Sequence, residues 1–334
     1  MSRASSSAAV PMHVVAGVVF DPEGRRVLVA RRMHGRFSGR REFPGGKVEP
    51  GESRFECLAR ELEEEVGIHI KDARPLIRLR HRYFDKEIDL DIWRVESFRG
   101  EAEGCEGQPI EWLPVEALEP ADFLPANEAV IAALRLPSRY LITPEPQGDA
   151  RAFLDRLAQR VDEGFDLLQL RAKTIEKEED FLVLARNAQA ICRRSGARLL
   201  VNASPAAALR CDAAGVHLDS KRLSDLAQAK PGAADIEALE ALRDKGGLIA
   251  ASCHNEEEID LLPDLGCDFA VLGPVRRTAT HLEAKALGWE GFSALAHRSR
   301  IPIFALGGLE DSDIPVAHEY GAQGVAAIRG FWGD

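Results

Sequence analysis

The chain has 334 residues, of which 45% are apolar and 29% are charged, and its formal net charge is -11 at pH 7. This length exceeds that of a typical single domain, which predicts two globular units or one large barrel. The acidic balance excludes a protein that binds nucleic-acid backbones or anionic membranes through its overall field, so we expect neither as a direct partner. Any anionic ligand must be held by local arginines or by a metal.

The cysteines and the apolar runs indicate the compartment. The six cysteines show neither zinc-ligand spacing nor the density of a disulfide framework, which favours a reducing environment. No apolar run reaches transmembrane length, and the first dozen residues lack the apolar core of a signal peptide. We therefore expect a cytoplasmic protein.

The first part of the chain predicts a mixture of strands and helices. The predicted strands cover residues 13–20, 26–30, 76–83 and 88–95, and the predicted helices cover residues 53–66 and 125–135. The turn Asp21-Pro22-Glu23-Gly24 predicts that the first two strands form a β-hairpin. Ser53 and Glu56 have capping-box spacing, and Gly67 stands where the helix should end. A Gly/Pro turn is predicted at residues 43–46.

The pattern changes at Leu136-Pro137-Ser138, beyond which short apolar strands alternate with helical stretches. The predicted strands cover residues 140–143, 167–171, 199–202, 215–218, 248–252, 269–273, 303–306 and 324–328. Eight such strands predict a (β/α)8 TIM barrel that reaches almost to the C-terminus. We therefore expect an α/β protein with domains at residues 12–136 and 138–334.

The strongest chemical signal is a run of glutamates in the first predicted helix. Glu61, Glu64 and Glu65 are spaced i, i+3 and i+4, so their carboxylates should converge on one helix face. Like charges at this spacing repel, and hard oxygen ligands suit Mg²⁺ or Mn²⁺, which would neutralise them. The alternative is an ordinary solvated glutamate-rich face.

The spacing of residues around these glutamates resembles the Nudix box at every defined position. Gly46, five residues, Glu52 and seven residues precede Arg60-Glu61-Leu62-Glu63-Glu64-Glu65-Val66-Gly67-Ile68. The resemblance covers roughly residues 12–135 and implies a Nudix hydrolase with an α/β/α sandwich around a mixed sheet. It further implies that Mg²⁺, or Mn²⁺, is bound by Gly45, Glu61, Glu64 and Glu65, that Glu61 is catalytic, and that Glu52 and Arg60 brace the loop.

Four further stretches resemble the MutT-type 8-oxo-dGTP diphosphatases within the Nudix hydrolases. They are Ala30-Arg31-Arg32, Glu42-Phe43-Pro44-Gly45-Gly46-Lys47, Glu106-Gly107-Gln108-Pro109 with Glu111-Trp112, and Pro125-Ala126-Asn127-Glu128. The resemblance implies hydrolysis of 8-oxo-dGTP to 8-oxo-dGMP and pyrophosphate, which cleans the nucleotide pool and so protects DNA during replication. It makes Glu106 a catalytic base or additional metal ligand, with an exposed loop glutamate as the alternative, and assigns nucleotide binding to Arg32 and Phe43.

Asn127 is the candidate that reads the base. Its amide can donate a hydrogen bond to O6 of a purine while it accepts one from N7. Guanine carries no hydrogen on N7 whereas its 8-oxo form does, so one amide could prefer the damaged base. The alternative is that Asn127 caps the helix that begins beside it.

The C-terminal part resembles thiamine-phosphate synthase. The resemblance rests on Tyr140-Leu141-Ile142-Thr143, Gln169-Leu170-Arg171-Ala172-Lys173, Gly215-Val216-His217-Leu218, Ser252-Cys253-His254, Gly273-Pro274 and Ala305-Leu306-Gly307-Gly308. It implies a thiamine-related phosphate as ligand, and a homodimer is one assembly it allows. The implied ligand or phosphate contacts are Gln169, Arg171, Lys173, Asn202, Ser252, Thr278, Thr280, Gly307 and Gly308.

The chain departs from the synthase pattern where that enzyme binds Mg²⁺. Ala203 stands where the first metal-binding aspartate is expected, and Asp219 is followed by Lys221 and Arg222 where an anionic cage is expected. His281 replaces the lysine expected after Thr280. These departures predict a non-catalytic ligand-binding or regulatory barrel; the alternatives are an active synthase domain, or a Nudix domain that acts on thiamine diphosphate or its analogues.

Overall fold

The computed structural model describes residues 11–84, 86–277 and 285–333. The chain divides into two compact units, the first ending at Ile131 and the second beginning at Ala132. Within the described residues, no helix combines the length and the apolar character needed to cross a bilayer.

The first unit is built on two small sheets. Its strands are β1 (Met12–Val19), β2 (Arg26–Arg31), β3 (Arg41–Glu42), β4 (Gly45–Lys47), β5 (His69–Arg82), β6 (Glu87–Arg99) and β7 (Ile110–Pro114), and its helices are α1 (Arg54–Val66) and α2 (Glu128–Leu134). One sheet has the order β4-β1-β6-β5 and the other the order β3-β2-β7. Because β1 and β6 are parallel while the other pairs are antiparallel, the expected mixed-sheet α/β class is confirmed.

Helix α1 forms as its sequence predicts. The Ser53 hydroxyl accepts a hydrogen bond from the Glu56 N–H, and the Glu56 carboxylate accepts one from the Ser53 N–H at 2.8 Å, which completes the capping box. Gly67 ends the helix with a left-handed φ of 69°. Leu58 and Leu62 are fully buried on one face. The opposite face is therefore left to the charged side chains of the helix.

The predicted hairpin between the first two strands is wrong. A single bridge joins Phe20 to Val27, and β1 and β2 otherwise belong to different sheets. Strand β1 instead runs parallel to β6, and its other edge pairs with β4, which overlaps the predicted turn at residues 43–46. The buried run that ends β1 requires partners along both edges, so pairing with distant segments overrides the local turn.

The second unit is a barrel. Its strands are β8 (Arg139–Ile142), β9 (Leu167–Leu170), β10 (Arg198–Val201), β11 (Gly215–Leu218), β12 (Leu248–Cys253), β13 (Phe269–Leu272), β14 (Ile303–Leu306) and β15 (Gly324–Ala327). Its helices are α3 (Ala150–Asp162), α4 (Glu178–Arg194), α5 (Pro205–Arg210), α6 (Ser220–Ala227), α7 (Ala234–Asp244), α8 (Glu256–Asp260), α9 (Gly288–Ala296), α10 (Ile314–Glu319) and α11 (Arg329–Trp332). In the described part of the chain, the eight strands close in parallel, which confirms the TIM barrel.

Alternation along the barrel strands separates two cores. Tyr140, Phe269 and Phe304 pack together inside the barrel, whereas Leu141 and Ala270 pack in the cluster that includes the helices. Since all strands are parallel, their carboxyl ends share one mouth, where barrels of this type carry their sites.

Asp91 ties α1 to the first sheet. It lies on β6, is 1% exposed, and its carboxylate is 2.9 Å from the Arg54 guanidinium on α1. Arg78 on β5 and His13 on β1 also approach it, at 3.5 and 3.6 Å. One buried carboxylate thus lies against basic side chains from three different elements.

We predict that Asp91→Ala lowers the free energy of unfolding of the first unit by roughly 3 kcal/mol, the lower end for removing one partner of a buried ion pair, because the arginines retain some exposure. Hydrogen–deuterium exchange of β1, β5 and β6 in the full chain measures this, with barrel peptides as the internal reference. The matched control is Glu96→Ala on the same strand, whose carboxylate is 43% exposed; we expect it to cost less than about 1 kcal/mol. Equal protection in both variants would contradict the role of Asp91.

Candidate functional site

Two glycines of β4 hold the glutamates of α1. The Gly45 N–H donates a hydrogen bond of 2.9 Å to the Glu65 carboxylate. The Glu61 carboxylate lies against the α-carbon of Gly46, so closely that a β-carbon there would be 2.2 Å from one oxygen and 2.4 Å from the other. Gly46 is therefore required because it leaves space for Glu61, a role that the sequence pattern alone did not reveal.

Arg60 is the charge partner of this helix face. Its guanidinium binds both oxygens of Glu52, at 2.9 and 3.1 Å. It also contacts Glu61 at 2.9 Å and Glu64 at 3.0 Å, and donates to the Lys47 carbonyl at 3.2 Å. The hydrogen bonds from Arg60 lower the pKa of Glu52 to about 2, and those to Glu52 and Glu61 raise the pKa of Arg60.

Glu65 lies at the centre of a group of carboxylates. Burial raises its pKa to about 7, against the opposing effect of the Gly45 N–H. The negative charges of Glu42, Glu61 and Glu106 raise that pKa further. The structure therefore brings Glu61, Glu65 and Glu106 into electrostatic contact, and it adds Glu42 to the set.

The loop that carries Glu106 is anchored to the end of α1. The Gln108 side-chain amide donates to the Glu65 carbonyl at 2.8 Å, and the Cys105 N–H donates to the same oxygen at 3.0 Å. The side-chain oxygen of Gln108 in turn accepts from the Glu106 N–H at 2.9 Å. These bonds explain how a glutamate outside the helix reaches the helical carboxylates.

The donor set fits a hard divalent cation, although the side chains do not stand as a finished ligand cage. Among the described residues, no three His, Cys, Asp or Glu side chains are placed as a ready metal site. Glu64 is 58% exposed and turns to Arg60, which also holds Glu61. The carboxylates of Glu61, Glu65 and the exposed Glu106 nevertheless offer only oxygen donors, and a divalent cation would offset their mutual repulsion.

A cavity of about 350 Å³ lies beside these carboxylates. Arg32, Phe43 and Asn127 all line it, together with Gly45 and Gly46. The ring of Phe43 is buried against Phe123, with ring centres 5.5 Å apart. The three nucleotide-binding candidates thus share one cavity with the glycines that hold the glutamates.

The Asn127 side chain has an unused acceptor. Asn127 is 5% exposed, and no donor in the described part of the chain reaches its side-chain oxygen. A helix-capping asparagine would accept a backbone N–H through this oxygen. The capping alternative is therefore not realised, and the acceptor belongs to a residue that lines the cavity.

Glu42 is a site residue that the sequence reasoning missed. Its carboxylate lines the cavity 3.4 Å from Arg32. Burial raises its pKa, and the positive charge of Arg32 opposes this. The sequence feature that could have identified Glu42 is its charge, directly before the Phe-Pro-Gly-Gly stretch.

The mouth of the barrel holds a cavity of about 540 Å³. The predicted contacts Gln169, Arg171, Lys173, Asn202, Ser252, Gly307 and Gly308 all line it. Thr278, Thr280 and His281 lie outside the described residues. The mouth also includes residues that the sequence reasoning did not nominate, among them Glu310 and Arg329.

Two cationic side chains of the mouth are paired with carboxylates. Lys173 donates to Asp219 at 2.9 Å, and Arg171 binds Glu145. Asp219 caps α6 by accepting from the Arg222 N–H at 3.0 Å. Burial opposes ionisation of Asp219, but the hydrogen bonds from Arg222 and Lys173 outweigh it and lower its pKa. Asp219 therefore serves as a helix cap and lysine partner.

A chain of buried polar side chains crosses the floor of the barrel. The Asn202 amide donates to Gln169 at 3.1 Å, and Gln169 donates to the Tyr140 hydroxyl at 3.3 Å. The hydroxyl lies 3.1 Å from His217 Nδ1, and His217 Nε2 lies 2.8 Å from the Ser252 hydroxyl. Burial lowers the pKa of His217 to about 3 and so keeps it neutral. If Tyr140 donates to Nδ1, Nε2 donates to Ser252, which leaves the serine hydrogen free for the cavity.

Comparison with known proteins gives matches to each half of the chain. The family description "NUDIX domain" matches residues 11–134, and "Thiamine monophosphate synthase" matches residues 139–331. An 8-oxo-dGTP diphosphatase of Escherichia coli is 37% identical over 124 residues, which are 37% of this chain and 96% of that protein. A thiamine-phosphate synthase of Fusobacterium nucleatum is 30% identical over 191 residues, 57% of this chain and 87% of that protein.

A solved structure from work on MutT of Aliivibrio salmonicida and Vibrio cholerae is 34% identical, covers 36% of this chain and 94% of that one, and has a TM-score of 0.32. Fold and site define a two-domain α/β protein whose first unit is a hydrolase. The chain belongs to the Nudix hydrolases through its first unit and to the thiamine monophosphate synthase family through its barrel.

We predict that Gly46→Ala lowers nucleotide hydrolysis by about a hundredfold while the protein stays folded, because the new methyl group displaces only the flexible end of Glu61 and thereby misplaces a reacting group. Steady-state kinetics measure the loss, and circular dichroism verifies the fold. Gly51→Ala is the control, since Gly51 lies in the loop that follows β4, with a positive φ of 88°, and a β-carbon there would meet nothing within 4 Å. A similar loss in both variants would attribute the effect to loop strain.

Proposed function

We propose that the first unit hydrolyses 8-oxo-dGTP to 8-oxo-dGMP and pyrophosphate, and so removes damaged nucleotides from the cytoplasmic pool. The observation that carries this proposal is the buried, unpartnered Asn127 oxygen in a cavity beside the carboxylates of α1. The 8-oxo form of guanine presents an N7–H donor to such an acceptor, whereas guanine presents a second acceptor. The name of the Escherichia coli relative agrees with this substrate.

The carboxylates of the site are assigned to metal binding and to proton transfer. Glu61, Glu64, Glu65 and Glu106, with the Gly45 carbonyl, would hold Mg²⁺, or Mn²⁺ in its place. Such a cation would neutralise the charge of the polyphosphate and lower the pKa of a water molecule bound to it. Glu106 or Glu61 then accepts the proton of the attacking water, because a carboxylate near the reacting phosphorus is a suitable base. Arg60 and Glu52 brace the helix, and Arg32 and Phe43 hold the nucleotide.

The full chain should hydrolyse 8-oxo-dGTP with a much higher kcat/KM than dGTP, and EDTA should abolish the activity until Mg²⁺ or Mn²⁺ is restored. Asn127→Ala should reduce the preference for 8-oxo-dGTP by about tenfold or more, the effect of losing one or two hydrogen bonds from a buried site. Asn127→Asp is the matched variant, because it keeps the acceptor and loses the donor. Much faster hydrolysis of dGTP, ADP-ribose, a dinucleoside polyphosphate or thiamine diphosphate would refute the substrate assignment.

We further propose that the barrel, taken as residues 138–334 after a first domain of residues 12–136, binds a thiamine-related phosphate without catalysing synthesis. The Lys173–Asp219 ion pair and the alanine at position 203 support this, because Asp219 already acts as the cap of α6 and its anionic neighbour is missing. A metal site that lacks one carboxylate loses much of its charge stabilisation.

The expected outcome is that the full-length gene fails to restore growth of a thiamine-requiring strain that lacks thiamine-phosphate synthase. A synthase relative expressed from the same vector provides the positive control, and immunoblotting verifies equal expression. Restored growth would show that the barrel is catalytic and would favour the bifunctional alternative.

A further inference from the structure

The barrel has a further cavity at the end opposite its mouth. This cavity has a volume of about 310 Å³, and the starts of β10 and β12 and the loop before β11 form its walls. Leu209 and Leu242 contribute apolar surface, and the charged residues that line it are Arg198, Asp212 and Lys245. None of the roles described above involves these residues.

This cavity is separate from the mouth. Arg198 is the first residue of β10, whereas Asn202, which lines the mouth, directly follows the end of that strand. Leu248 likewise begins β12, and Ser252 of the mouth lies near its end. A strand of four residues is roughly 13 Å long. The two cavities share no lining residue, so a ligand in one does not contact the other.

Arg198 carries a charge that the protein does not pair. Its backbone N–H donates to the Asp166 carbonyl at 2.8 Å, but among the described residues its partly buried guanidinium has neither a hydrogen bond nor an ion pair. Burial lowers the pKa of Arg198, and the negative charge of Asp166 only partly opposes this. A guanidinium that is partly removed from water without a partner lowers stability. An anion in the cavity would offset that cost.

The remaining charges of the cavity leave it positive. Both the carboxylate and the backbone carbonyl of Asp212 accept hydrogen bonds from Arg193, so this aspartate is already neutralised. The positive charge of the exposed Lys245 also lowers the pKa of Asp212, after the larger effect of Arg193. Arg198 and Lys245 therefore give this cavity two positive charges, in a chain whose formal net charge is -11.

These charges and surfaces define the class of ligand. A phosphate monoester carries a charge of about −1.5 to −2 at pH 7, which matches two cations, whereas a carboxylate would neutralise only one. A guanidinium can also bind two phosphate oxygens at once. Leu209 and Leu242 offer apolar contact to an organic group attached to the phosphate. The volume lies near the lower limit of ligand sites, so the compound must be small.

We propose that this cavity binds a small organic phosphate, whose phosphate group contacts Arg198 and Lys245 and whose organic part packs on Leu209 and Leu242. The site requires neither hydrolysis by the first unit nor a ligand at the barrel mouth. Its test is therefore independent of the proposed function.

The experiment titrates phenyl phosphate into the full chain and follows hydrogen–deuterium exchange of peptides that contain residues 206–214 and 242–249. In the wild-type protein their protection should rise and saturate, which gives a Kd for this cavity alone. Arg198→Gln should raise that Kd by roughly tenfold or more, the effect of losing a hydrogen bond to a charged group. Lys245→Gln should raise it less, because an exposed charge contributes less. Exchange of the barrel strands without phenyl phosphate verifies that each variant is folded.

Two variants are controls for charge and for location. Arg194→Gln changes the net charge by the same amount as Arg198→Gln, but Arg194 is exposed on α4 and does not line the cavity. Lys173→Gln removes a cation from the mouth. Both variants should keep the wild-type Kd at residues 206–214 and 242–249. A rise in either one equal to that of Arg198→Gln would overturn the proposed site.

The proposal is also overturned if millimolar phenyl phosphate gives no saturable protection in the wild-type protein, or if Arg198→Gln leaves the Kd unchanged. Equally tight binding of benzoate would refute the phosphate group as the recognised feature, and equally tight binding of inorganic phosphate would refute the organic part. If Arg198→Gln does not fold, Lys245→Glu decides. Its charge reversal at an exposed position should abolish the protection, and an unchanged Kd would count against the site.

Discussion

The site of the first unit depends on how one guanidinium balances a group of carboxylates. Glu52 binds Arg60 through both oxygens and fixes its orientation. The remaining Arg60 donors then contact Glu61 and Glu64, which would otherwise repel each other on adjacent turns. Arg60 thus neutralises part of the negative charge of this helix face, which lowers the charge that a divalent cation there would experience.

The parts of the fold that the sequence predicts are those determined by local chemistry. Ser53, Glu56 and Gly67 define α1 through side-chain and backbone preferences that act within a few residues. The barrel can be predicted from the sequence equally well, because buried parallel strands appear as short apolar runs between helical segments. The cavity that joins Arg32, Phe43 and Asn127 could be anticipated only through resemblance, since their common location depends on three separate segments.

The features that sequence reasoning missed depend on pairing between distant segments. The turn at Asp21 connects β1 to β2 without forming the predicted hairpin, because the buried second half of β1 is stabilised by partners along both of its edges. Glu42 was overlooked for a similar reason. Glu42 is recognised as a site residue only because it lies near Arg32 and Glu65 in the folded chain, and no sequence spacing connects these three positions. Gly46 has its role only because β4 lies against α1.

The barrel mouth presents the opposite electrostatic problem. Two of its cations, Lys173 and Arg171, already hold Asp219 and Glu145, so an anionic ligand that binds them must displace these carboxylates. Asp219 keeps the Arg222 N–H when Lys173 leaves, which lowers the cost of that exchange. A phosphate carries more negative charge than a carboxylate and has three acceptor oxygens, so it competes better for Lys173. We therefore expect these two ion pairs to favour phosphate over carboxylate ligands at Lys173 and Arg171.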